Sequence, residues 1–333
     1  MPSQAEIEAS NALINDATAP RVSVFAGATS GVGQLTVRAL VATGASVRIY
    51  LVGRRSAAAR AAALIAELEA ANPRAEIVWT EAEISLLAEV RRVCELISSK
   101  EPRVDLLFLS AGYAPFGRRT ETAEGLEVCQ SLEYYSRLLF VLRLLPALRA
   151  AEAPRVISVL GGGFETANGI DVDDIDLQRP GNFSAVKAQS QYVNLNSAAL
   201  DKVAADNPHV TFIHASPGWV NTGNVHRGDV DPNSLWAWFV YLFLNPLIRL
   251  LAMSDEVSGQ RQLFNCTSAK FGGKGVPWTG KPGINTLQKE SGGLFIVSHR
   301  CETWPKETVM PVVREKAQPK VWARAQEVLG PYL

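Results

Sequence analysis

The sequence predicts an α/β fold in which one doubly wound parallel sheet lies between two layers of helices, a three-layer sandwich. Three observations predict it. Short β-rich runs alternate with stretches of helical apolar spacing along most of the 333 residues, and strands joined through helices pair in parallel by right-handed crossovers. The run VDLLFL at Val104 to Leu109 is almost wholly apolar, as a strand buried on both faces must be. A glycine-rich turn, GATSGVG, joins the first strand to the first long helix.

Arg21 to Ala26 is the first strand, and QLTVRALVAT carries the apolar spacing of the helix after it. Ala45 to Val52 is the second strand, followed by an alanine-rich helix from about Ser56 to Ala71 that Pro73 helps to end. Ile77 to Thr80 and Leu86 to Ser98 supply the third strand and third helix. After Val104 to Leu109 come a long helix from Ala123 to about Leu148, a strand at Arg155 to Leu160, and a helix from about Ala185 to Asp206. Val210 to His214 is the next strand, Gly293 to Ser298 the last, and Val312 to Leu329 a surface helix.

Residues 1–20 read as an N-terminal arm, frayed and without the basic start and apolar run of a signal peptide. Residues 21–333 read as one domain, in which the irregular segment of about 221–283 forms a substrate lid over the ligand crevice. Within it, Leu235 to Met253 approaches the length of a membrane span. Asn245, Pro246 and Arg249 interrupt it, so the reading is two short apolar helices, no spanning segment, and at most a weak membrane association.

Hydrophobic residues make up 47% of the chain and charged residues 20%, enough apolar side chain for a sizeable core. With 33 basic and 33 acidic residues the formal net charge is zero, so no bulk field gathers nucleic acid or an anionic membrane. A small-molecule partner is expected instead. Cys94, Cys129, Cys266 and Cys301 are widely spaced and His209, His214, His226 and His299 scattered, which gives neither metal-ligand spacing nor a disulfide framework. Reduced thiols imply a cytoplasmic protein.

Gly27, Gly31 and Gly33 stand where a strand turns into a helix. There the backbone must bend sharply and approach a pyrophosphate closely, with the helix N-terminus facing the anion. This is the arrangement of a Rossmann-type nucleotide-binding domain. The second strand ends in Val52-Gly53-Arg54-Arg55, without the carboxylate that accepts ribose hydroxyls in NAD-binding domains. A guanidinium at Arg54 instead suits a 2′-phosphate, so the expected cofactor is NADP(H).

On these residues the chain resembles the short-chain dehydrogenase/reductase family over roughly Arg21 to Gly223, and its style is similar to fungal members of secondary metabolism. The family's glycine motif reads AGATSGVG here, Ala26 to Gly33, so the resemblance implies cofactor contacts at Gly27, Thr29, Ser30, Gly31, Val32 and Gly33. It implies further contacts at Glu83, at Ser110, Ala111 and Gly112 in LSAG, and at Pro217, Gly218, Val220 and Thr222 in SPGWVNTG. The family's YxxxK motif is matched by Phe183 to Lys187, with the lysine, also a ribose contact, present and the tyrosine replaced by Phe183. The serine position falls on Gly161 and the helix asparagine on Glu133. Phenylalanine preserves the shape of tyrosine without its ionisable hydroxyl, and such a loss costs about two to four powers of ten in rate. Either Phe183 is an engineered substitution or the protein has given up the usual proton transfer.

Among substitutes, Glu133 reads either as a solvated helix carboxylate or as a base or ion-pair partner near Lys187, and Tyr134 and Tyr135 as able to reach the crevice. Tyr192 and Ser158 read as packing residues, Ser184 as pointing elsewhere, and His214 as structural. Trp219 suits either a cleft wall or the core. The expected activity is an NADP(H)-dependent oxidoreductase acting on a carbonyl or hydroxyl of a hydrophobic small molecule, with the aromatic segment Trp236, Trp238, Phe239, Tyr241 and Phe243 over the substrate. The alternatives are a non-redox cyclase, isomerase or dehydratase on the same scaffold, and a catalytically silent cofactor binder. The resemblance also implies a homodimer or homotetramer paired through the helices around Leu138 and Lys187.

Overall fold

A computed structural model describes residues 1–115, 118–220 and 252–333. Its seven strands form one parallel sheet in the order β3-β2-β1-β4-β5-β6-β7. They are β1 (Val22–Ala26), β2 (Arg48–Gly53), β3 (Glu76–Glu81), β4 (Leu106–Leu109), β5 (Arg155–Val159), β6 (Thr211–Ala215) and β7 (Leu294–Val297). Every residue of β1, β4, β5, β6 and β7 is buried, because helices cover both faces and leave no polar side to the central strands. Chain order reverses between β1 and β4. Crevices in such sheets open at that point, outside the carboxyl ends of the strands.

The helices are α1 (Gln4–Asn11), α2 (Gly31–Ala42), α3 (Ala58–Ala71), α4 (Leu87–Lys100), α5 (Val128–Gln130), α6 (Ser136–Arg149), α7 (Ala185–Asp206), α8 (Asp255–Thr267), α9 (Met310–Lys316) and α10 (Gln318–Leu329). Between α5 and α6 the chain makes a π-turn over Ser131–Tyr135. The long helix expected from Ala123 starts only at Val128, since Gly125 turns the chain at φ 78° and the Glu127 carboxylate then caps Gln130 at 2.7 Å. The helix expected over Val312 to Leu329 is two, because Pro319 has no N–H to continue α9 and suits the first turn of α10.

Residues 1–20 are not frayed. Helix α1 carries a capping box at Ser3 and Glu6 and packs on α8, with Ile7 and Ile14 buried.

The expected lid over 221–283 requires correction for its described part. Helix α8 packs on α2, where a Cβ on Gly259 would stand 2.8 Å from the Leu35 carbonyl oxygen, so it belongs to a structural layer. Residues 268–276 wrap the amino end of β5, where the Arg155 guanidinium donates to the carbonyls of Asn265, Ser268 and Lys274. The apolar residues Trp236 to Phe243 and the Asn245-Pro246 junction lie outside the described residues. Among the described residues no helix is long and apolar enough to cross a membrane.

The C-terminal half of α7, the helix expected to pair subunits around Lys187, is covered within the chain. Arg314 holds Asp201 of α7 through two 2.8 Å bonds, and the Gln318 amide donates to the Ala198 carbonyl at 2.9 Å. Lys202 sits 5.5 Å over the Trp322 ring of α10, whose Val321, Ala325 and Leu329 are buried. Leu138 is itself in the core.

Candidate active site

The ladder registers set Val52, Ala26, Leu109, Ser158 and His214 side by side near the carboxyl edge. The loops that leave these strand ends line the crevice. Gly27 turns there at φ 94°, and a Cβ on it would lie 2.4 Å from the Ala111 amide nitrogen, so only glycine lets the turn close on β4. A Cβ on Gly33 would meet the Ser110 Oγ at 2.6 Å and the Ala28 Cα at 2.9 Å. Thr29 is buried, Val32 half-buried, and Ser30 stands at the N-cap of α2. These glycines let the turn after β1 pack directly on Ala111 and Ser110 and bring the N-terminus of α2 to the crevice, an arrangement that fits a dinucleotide pyrophosphate.

Arg54 comes after β2, on the surface. A Cβ on Gly53 would lie 2.9 Å from the Trp79 Cη2 and 3.2 Å from the Thr29 Cγ2, so Trp79 walls this end of the crevice. Sequence reasoning missed it, because a tryptophan in a strand looks like any core aromatic. Glu83 is exposed after β3 and accepts the Ser85 hydroxyl at 2.9 Å.

Glu133 occupies the π-turn. Such turns cluster at functional sites because they re-aim side chains. A Cβ on Gly112 would stand 2.6 Å from the Glu133 Oε1, and the Gln189 Nε2 donates to its Oε2 at 3.3 Å. The side chain is 2% exposed. Burial pushes its carboxyl up to about 8, against the opposing pull of Arg137, Gln189 and the Tyr113 backbone. It is therefore no solvated carboxylate. The Asn196 amide donates to the Glu133 carbonyl and fixes the turn.

Arg137, one turn further on, is buried and was not legible as a site residue. It donates to Ser158 Oγ at 2.8 Å and to the carbonyls of Val159 at 2.9 Å, Ala111 at 2.6 Å and Leu132 at 3.3 Å. Burial lowers its guanidinium to about 10, partly offset by Glu133. It clamps the ends of β4 and β5 together.

Phe183 and Lys187 flank the amino end of α7. Lys187 Nζ pairs with Asp171 at 2.9 Å and also donates to Asn182, and the Lys187 bond together with one from the Asn182 amide holds the Asp171 carboxyl near 2. It does not pair with Glu133. Phe183 precedes α7, half-buried against the core. The α7 residues that touch Glu133 and Gly161 are instead Gln189 and Val193, since a Cβ on Gly161 would lie 2.6 Å from the Val193 Cγ2. Neither residue carries a motif, and only the contacts reveal them.

Most of the remaining candidates are held by structural partners. Tyr134 and Tyr135 do not reach the crevice: both are buried, and the Tyr135 hydroxyl donates to Asp176 at 2.6 Å. Tyr192 is buried and donates to Glu127 at 2.7 Å, Ser158 donates to Asn196 at 3.0 Å, and Ser184 caps α7. His214 is buried with its Nδ1 2.7 Å from Ser197 Oγ and 3.2 Å from Glu165 Oε1. Burial alone would raise the Glu165 carboxyl, but the bonds from His214 and Ser197 keep it below its ordinary value. This cluster supports the Gly161–Gly163 loop, where the Gly161 N–H reaches His214 Nε2 at 3.4 Å and the Gly163 N–H donates to Glu165 at 2.8 Å. Pro217, Gly218 and Val220 are half-buried after β6, with Gly218 packed on His299 and Met253, and Trp219 is 53% exposed, which removes it from the core. Thr222 and His226 lie outside the described residues.

A family model for the short chain dehydrogenases matches residues 21–163. Oxidoreductase AN1596 of Emericella nidulans is 32% identical, covering 99% of this chain and 98% of its own. Oxidoreductase lepF of Aspergillus flavus is 34% identical over 98% and 97%. Among solved structures, an NADPH-bound carbonyl reductase from chicken fatty liver superposes with a TM-score of 0.54 at 16% identity, covering 86% of this chain and 98% of its own. The fold, the matched segment and the near full-length likeness to fungal oxidoreductases agree: this chain belongs to the short-chain dehydrogenase/reductase family.

Proposed function

We propose that the chain binds NADP(H) across the carboxyl ends of β1, β2 and β4 and acts as a cytoplasmic oxidoreductase on a hydrophobic small molecule of secondary metabolism. The observation that carries the reading is the close-packed glycine turn at Gly27 and Gly33 before α2, with Arg54, not a carboxylate, at the end of β2. The exposed rings of Phe164, Trp219 and Trp304 support an apolar substrate, and the four buried, unpaired cysteines fit a reducing compartment.

When bound, a reduced nicotinamide supplies a hydride. The chain's part is to hold Glu133, bonded by Gln189, against Gly112, and Val193 against Gly161, with water excluded from the carboxyl. Titrating the protein with NADPH and NADH by fluorescence tests the cofactor reading. Tighter NADPH binding is expected; equal or tighter NADH binding overturns it.

One observation favours a second reading. Phe183, Gly161 and Glu133 at the tyrosine, serine and asparagine positions leave the usual proton transfer without three of its groups, which suits an isomerase, cyclase or dehydratase. Product formed with no change in nicotinamide absorbance supports that alternative, and stoichiometric cofactor turnover excludes it.

A further inference from the structure

The groups around Gly161 are matched to a different charge from the one a ketone develops. Reduction of a carbonyl builds negative charge on oxygen, which protein donors must meet. Here the facing positions hold Gly161, without a side chain, and Val193, which is apolar. Gln189 directs one of its two Nε2 protons to Glu133.

The nearby cations are engaged. Arg137 donates to three backbone carbonyls and Ser158, and Lys187 is bound by Asp171 and Asn182. On the acidic side stand Glu133 and Glu127, the latter receiving Tyr192 and the Gln130 N–H. Ionised, the two carboxylates exceed Arg137 by one negative charge.

We infer that the substrate presents a cationic nitrogen, an iminium or ammonium group, to the Glu133–Gln189 pair, rather than a neutral ketone. This rests on the oxidoreductase reading and narrows its substrate class. With the Gln189 Nε2 turned to Glu133, the amide oxygen is left as an acceptor for an N–H of the substrate. The Glu133 carboxylate completes the charge that Arg137 alone leaves unbalanced. Burial opposes ionisation of Glu133 in the empty site, and an adjacent cation reverses that balance.

Calorimetric titration of the full chain saturated with NADP+ tests this, with N-methyl-3,4-dihydroisoquinolinium and its neutral ring analogue 1-tetralone as probes. The cation is expected to bind at least about tenfold more tightly, a ratio worth about 1.4 kcal/mol. Glu133→Gln, with its fold followed by circular dichroism, is expected to erase the preference. Tetralone binding as tightly as the cation, binding of neither probe, or a preference retained in Glu133→Gln each overturns the inference. Cofactor binding is read separately from the NADP+ titration, so failure there falls on the function proposed above and not on the charge preference, which the cofactor-free chain also reports.

Discussion

The Val193 side chain fills the space over Gly161, so that a Cβ at 161 would lie only 2.6 Å from Val193 Cγ2. A hydroxyl cannot simply be restored at this position. Gly161→Ser is expected to lower stability by about 1–3 kcal/mol, the usual cost of overpacking, and Gly161→Ser/Val193→Ala to recover most of it. Urea denaturation of both variants measures the difference, and an undiminished single variant would show that the valine moves aside freely.

Phe183→Tyr is expected to give no gain in ketone reduction, because residue 183 precedes α7 and Lys187 is held by Asp171. The residues on Glu133 and Gly161 are Gln189 and Val193. A steady-state assay with NADPH and a ketone panel decides it. A gain of tenfold or more from Phe183→Tyr alone would show that residue 183 stands at the proton-transfer position.

Much of the fold was legible because burial writes itself into the strands: VDLLFL could be little else, and GATSGVG marks both the turn and the crevice. The glycines announce where backbone must approach backbone. The contacts of Glu133 and Gly161 with Gln189 and Val193 were not legible, since those two residues carry no motif. Arg137 and the Ser197–His214–Glu165 cluster escaped for another reason. Each is a buried polar group whose partners come from distant segments, and a sequence gives no hint of such partners.

Arg54 is the cofactor discriminator. Hydrogen bonds to charged groups contribute about 1.5–3 kcal/mol, so Arg54→Ala should weaken NADPH binding by roughly ten- to a hundredfold. NADH binding should change little. Parallel loss for both cofactors would mean that Arg54 acts on the shared adenosine and not on a 2′-phosphate.

Glu133 makes stability depend on pH. Its folded value of about 8 lies above the ordinary 4.5, so between these values the folded chain keeps a proton that the unfolded chain has released. Its contribution is full below about pH 4.5 and is lost as pH rises through 8, at up to about 1.4 kcal/mol per pH unit. Subtracting the Glu133→Gln stability profile from that of the parent should isolate this slope between pH 5 and 8. A flat difference would mean that water reaches the carboxyl.

The outer face of the C-terminal half of α7 is already occupied, which bears on assembly. A helix that pairs subunits must leave a self-complementary face open, whereas Asp201, Ala198 and Lys202 are engaged by Arg314, Gln318 and Trp322. The chain is therefore expected to run at one chain mass, 36.0 kDa, in light scattering coupled to size exclusion. Removing the clamp exposes its importance: the Asp201 side chain is 3% exposed, and Arg314→Ala strands that carboxylate without its cation. Breaking one side of a buried pair costs about 3–5 kcal/mol, so the variant should unfold at clearly lower urea. A parent of twice the mass, or an unshifted Arg314→Ala midpoint, would mean that the C-terminal helices do not seal this face in solution.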